Sequence, residues 1–234
     1  MNANTLEQIA SKARLQLYIV SQPQNPERAV ALYEQNIALA QSFYPLLSSL
    51  EVALRNALDK QCSALFADPN WLTSQKTGFM VASRLTYIDH SGKQRTNDFL
   101  KRSIEEAEST LRRQKKILSQ GRIISELTFG FWTELFDRTH YSLLKGVPIK
   151  IFPNLPPTIR RVQIYDRLRD IRRFRNRIYH NEPICFVNGM CDVAPAEKIR
   201  REALDLISWL SADMFQWISV IDHSQQEILK TKQF

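Results

Sequence analysis

Apolar residues recur at helical spacing along most of the chain, and no stretch reads as a sheet, so the expected fold is all-α. A first helix is expected over residues 5–20 and a turn over 22–26. A second helix should run from Glu27 to about Phe43 on Leu32, Tyr33, Ile37, Leu39 and Ala40. Pro45 permits a fresh start, because proline is tolerated in the first helical turn. The helix after it, 46–66, carries the clearest stripe: Leu47, Leu54, Leu58 and Leu65.

Residues 67–92 are mixed, with a turn at 68–71, a short helix at 79–85 and a polar loop at 87–95 around Gly92. A long polar helix is expected over 97–120. Its Glu105, Glu106 and Glu108 come early and its Arg112, Arg113, Lys115 and Lys116 late, an order that complements the helix dipole. Residues 123–136 are apolar and aromatic and read as core, through Ile124, Leu127, Phe131, Trp132, Leu135 and Phe136. Four prolines make 146–157 a connector. A helix over 158–180, ended by Pro183, precedes a loop at 181–194. A last helix over 195–221 should bury Ala203, Leu206, Ile207, Leu210, Met214, Trp217 and Ile221.

Composition narrows the function classes. Six glycines and no phosphate-cradling glycine loop argue against nucleotide folds built on tight βα turns. A net charge of +8 favours polyanionic partners. Cys62, Cys185 and Cys191 follow no CxxC spacing and read as reduced thiols of a cytoplasmic protein. A signal peptide and a membrane-length apolar window are not expected, nor is any membrane partner. His90, His140 and His223 read as lone surface or capping residues outside any cluster with metal-ligand spacing, so no metal or other cofactor is expected.

The chemistry concentrates in residues 172–183. At about 100° per residue, Ile164, Leu168, Ile171, Phe174 and Ile178 share the core face of their helix. Asn176 and His180 lie one turn apart on another face, joined by Arg169 and Arg173. Guanidinium forks suit phosphate oxygens, and an imidazole moves protons near neutral pH. Arg175 points about 140° away from His180 on an ideal helix, toward the apolar stripe. Glu51 interrupts the stripe of its own helix. Either it snorkels to water or pairs with Arg55 one turn on, or it meets a cation from another helix, for which Arg175 is the natural partner.

Arg175, Asn176 and His180 match the arginine-x4-histidine signature of the HEPN superfamily. The longer run Arg175-Asn176-Arg177-Ile178-Tyr179-His180-Asn181-Glu182-Pro183-Ile184 resembles the Abi-like (abortive infection) group within it. So, in the expected order, do Glu51-Val52-Ala53-Leu54-Arg55-Asn56 and Glu126-Leu127-Thr128-Phe129-Gly130-Phe131-Trp132. The resemblance covers roughly residues 30–210. It implies a single domain over 1–234: a HEPN-like helical bundle with its core at about 30–66 and 121–221, extra helices, and an inserted segment at about 67–120 carrying the long polar helix. It further implies a homodimer and a metal-independent endoribonuclease toxin of an antiviral defence system, restrained by an antitoxin of RNA or protein.

In that reading His180 is base or acid, Arg175 or Arg177 neutralises the phosphorane oxygens, and Asn176 orients the histidine or the phosphate. Arg169, Arg172, Arg173 and Arg177 would hold RNA. Two other classes use the same residues differently. One is a non-catalytic protein that holds a structured noncoding or antitoxin RNA; the other is an interaction module whose basic helix binds an acidic protein. The bland alternative is a solvated arginine face with His180 as a capping residue.

Overall fold

Leu6 and Leu15 both pack against Val30, and that pairing explains how the chain begins. Nine positions apart, they would lie on opposite faces of one continuous helix. The computed structural model, which describes residues 3–234, breaks the expected first helix at Ser11 (φ 69°) into α1, Ala3–Ala10, and α2, Lys12–Ser21. The break lets both leucines turn inward. Next come α3, Pro26–Ser42, with Pro26 in its first turn and Asn25 capping the Arg28 amide, and α4, Tyr44–Phe66. Leu47, Leu54 and Leu58 are buried as expected, and Leu65 is half-buried.

Short α5, Trp71–Ser74, is followed by single 3₁₀ turns and a two-stranded hairpin. Its strands β1, Thr86–Ile88, and β2, Gln94–Thr96, pair antiparallel where a polar loop was expected. The polar helix is shorter than its sequence suggests: α6 spans Phe99–Arg113. Lys115 takes a left-handed φ of 54° and the Lys116 amide bonds back to the Leu111 carbonyl, which closes the helix. Glu108 serves more than the dipole. It is buried, and Lys76 at 2.7 Å and Arg112 at 3.4 Å pair with it. The apolar aromatic run divides into α7, Gln120–Glu126, and α8, Phe129–Glu134; α9, Arg138–Leu143, follows.

The motif helix is α10, Arg161–Tyr179. The loop expected after it holds a second hairpin, β3, Phe186–Val187, with β4, Met190–Cys191. Asn188 and Gly189 form its two-residue turn, both at positive φ, a conformation that Asn-Gly adopts at low cost. The expected last helix is interrupted at Ser211, giving α11, Ala194–Leu210, and α12, Ala212–Ile221, and α13, Ser224–Thr231, ends the chain. The interruption resets the helical phase. Ile218 becomes the buried residue of α12, and Trp217, expected in the core, is 55% exposed.

Contacts divide the chain into two compact units. The first comprises the chain up to Ser49, Arg173–Ser208 and Ala212–Phe234. The second comprises Leu50–Arg172 and Trp209–Ser211. In the first, Tyr18 meets Tyr33 and Phe186 edge-on, at 5.3 and 5.1 Å between ring centres. In the second, Trp71, Phe131, Trp132 and Phe136 are fully buried, and Asp59 accepts from the Trp71 indole and the Gln120 amide, each at 2.8 Å.

One apolar stretch corrects the expectation about membrane-length windows. Pro26–Phe66 contains an 18-residue window of mean hydropathy 1.3, long and apolar enough to cross a membrane by length and composition, and one-third of that window is buried in protein.

Candidate nucleic-acid interface

No glycine or proline falls between Arg161 and Tyr179, so α10 runs unbroken to the end of the motif. Within the first unit its last turns bury Phe174, which meets Phe43 at 4.9 Å in a T-shaped contact, and half-bury Ile178. Arg173, Asn176, Tyr179 and His180 are exposed. Spaced by three and four, Arg173, Asn176 and His180 form one polar stripe, and the His180 amide donates to the Asn176 carbonyl at 2.9 Å.

The helix then stops in a Schellman arrangement. Asn181 is left-handed at φ 54°, and the Glu182 amide donates to the Arg177 carbonyl at 2.8 Å. The Arg14 guanidinium donates to the Asn181 carbonyl. Arg177 donates to the Pro183 carbonyl and lies 3.5 Å from the Glu182 carboxylate, so this arginine braces the cap. Buried Asn36 accepts the Ile184 amide at 2.9 Å. Asn36→Leu should therefore cost about 1–3 kcal/mol in urea unfolding, because it strands a buried N–H.

Arg175 is half-buried, with its guanidinium 4.4 Å from the centre of the Tyr179 ring. That cation–π contact turns it toward the next turn of its own helix. Arg173 through His180 thus sit together on the first unit, and the other expected site residues belong to the second. There Arg169 pairs with Asp166 at 3.0 Å and leans on Tyr165. Arg172 lies against Gly130, where an added Cβ would come 3.2 Å from its Nη1. The glycine of the Leu127-to-Trp132 run is therefore the space that admits this guanidinium. Glu51 is half-buried on α4.

His140 overturns its sequence reading. It has no exposed surface, and it faces Glu134 and Asp137 where a lone surface or capping histidine was expected. The signal was the regular spacing Glu134-x2-Asp137-x2-His140, hidden because 134 ends one helix and 138 begins the next.

The thiols of Cys185 and Cys191 are hydrogen-bonded to each other at the base of the second hairpin. The bond from Cys185 holds Cys191 below the usual thiol range, against the opposing pull of burial, and raises Cys185. Burial, with a smaller push from the Asp59 charge, raises Cys62 to about 12. Alkylation by iodoacetamide, followed by mass spectrometry, should mark Cys191 first. Its rate should rise with pH and level off below the pH at which an ordinary thiol does, while buried Cys62 and Cys185 stay unmodified.

No family model, curated protein or solved structure matches the chain.

Proposed function

We propose that the chain is an endoribonuclease toxin of the HEPN type, acting as a cytoplasmic homodimer in an abortive-infection response and restrained by an antitoxin. The observation that carries the reading is the exposed stripe of Arg173, Asn176 and His180 at the end of α10, on a chain of net charge +8. RNA brings its own nucleophile in the 2′-OH. Cleavage then asks only for a base, an acid and stabilisation of charge on the phosphorane.

His180 supplies proton transfer, Asn176 orients it or the phosphate, and Arg173 meets the backbone. Arg175 is the arginine assigned to the phosphorane oxygens, a role that requires it to leave the Tyr179 ring. Tyr179 presents a face on which an unpaired base can stack. Each chain offers one such imidazole, and a second copy would provide the other half of an acid–base pair.

The test incubates wild type and His180→Ala with total RNA in the presence of a chelator. Wild type should fragment the RNA and the variant should not. Intact RNA with both proteins, together with binding that weakens by roughly 0.7 log units per neutralised phosphate for each log unit of salt, would instead identify a non-catalytic RNA-binding protein.

A further inference from the structure

The second unit holds a polar cluster that the ribonuclease reading does not use. Glu134 at the end of α8, Asp137 capping α9 and His140 within α9 bring one ligand atom each to within 4.8 Å of one another. His140 Nδ1 lies 3.7 Å from Glu134 Oε1 and 3.8 Å from Asp137 Oδ2. Neither ring nitrogen makes a well-formed hydrogen bond, although the side chain has no exposed surface. A buried imidazole left in that state is costly.

The distances discriminate between possible occupants. They are too long for direct hydrogen bonds, which need about 2.7–3.2 Å. They are too short for a bridging water, whose two partners stand about 4.4 Å apart when each is 2.8 Å from its oxygen. A cation about 2.1 Å from each atom spans 3.7–3.8 Å at an angle near 125°, within reach of three-ligand coordination.

We propose that Glu134, Asp137 and His140 bind a divalent first-row transition ion that ties α8 to α9. One imidazole with two carboxylates suits Zn²⁺, Mn²⁺ or Fe²⁺, and it is a poorer match to Ca²⁺ and Mg²⁺, which take oxygen ligands. The surroundings agree. The His140 ring, fully buried and without a well-formed hydrogen bond, keeps a nitrogen lone pair for an ion. Glu134 accepts a 3.4 Å hydrogen bond from Asn97, which leaves room in its coordination for an ion. A dication would offset the cost of holding the Glu134 and Asp137 carboxylates side by side. Tyr165 and Arg172 approach the cluster from α10, and Arg172 limits its net negative charge.

The full chain, stripped with EDTA and desalted, is titrated with Co²⁺ and Zn²⁺ under a reducing agent that does not bind metal. One ion per chain is expected, with Co²⁺ d–d absorption and no thiolate-to-cobalt charge-transfer band. The melting temperature should rise by about 5–10 °C at a hundredfold excess over Kd. Asp137→Asn and Glu134→Gln, which preserve shape, should weaken binding by about 100-fold.

A wild type that neither binds nor shifts overturns the proposal, and so do variants that bind as wild type does. A sulfur charge-transfer band overturns it as well, by placing the ion on a cysteine. These readouts involve no RNA, so they stand or fall apart from the ribonuclease reading.

Discussion

His180→Ala is expected to lower RNA cleavage by about 10²–10⁴-fold while changing RNA affinity only a few-fold. The range is that of one positioned proton-transfer group. The structural cost of the change is small, because the side chain is exposed and the helix cap beneath it is made by Asn181, Glu182 and Arg177 through main-chain and guanidinium contacts. Exposed substitutions away from caps and cores usually stay within about 0.5 kcal/mol. A lost activity in this variant therefore reports chemistry, provided its thermal melt overlays the wild type.

His180→Lys sharpens the comparison: it supplies a cation for the phosphate but removes the imidazole, so it should bind RNA and cut poorly. Cleavage by His180→Ala within about twofold of wild type would remove the imidazole from the mechanism. Cleavage lost together with all RNA binding would reduce it to a contact.

The sequence was most legible where one periodicity held over a long, unbroken run. Ile164, Leu168, Ile171 and Phe174 are buried as the 3.6-residue period requires, and α4 buries Leu47, Leu54 and Leu58. The exposed stripe of Asn176 and His180 followed from the same arithmetic. Legibility failed where tertiary needs interrupted a helix. Nothing local announces the breaks at Ser11 and Ser211. They follow from Leu6 and Leu15 sharing one cluster, and from Trp209 packing at 6.4 Å on Phe152 and beneath Arg167 within the second unit. The Asn188-Gly189 hairpin was readable from turn chemistry alone and was passed over because its strands are two residues long. Arg172 and Arg177 read as phosphate donors because pattern does not reveal partners. One is accommodated by Gly130, and the other braces the cap that ends its own helix.

Phe174→Ala should lower stability by about 3–5 kcal/mol, the cost of emptying a large aromatic site that relaxes only in part. Phe174 is the inward side of the very turns that display Arg173, Asn176 and His180, and its ring is held edge-on by fully buried Phe43. The loss combines the transfer free energy of the ring, the cavity left behind and about 0.5–1.5 kcal/mol of aromatic pairing. For a chain of this size that corresponds to a fall in melting temperature of about 6–20 °C, read by circular dichroism.

Phe174→Leu retains most of the volume and should recover more than half of the loss. If the exposed stripe works as a unit, Phe174→Ala should also lose cleavage before it melts, because the last turns of α10 lose the contact that fixes their rotation. Phe174→Leu should keep cleavage near the wild-type level at 25 °C. Equal stability for alanine and wild type would mean that this edge-on contact does not anchor the helix end, and that the position of His180 is set by the Asn181 cap alone.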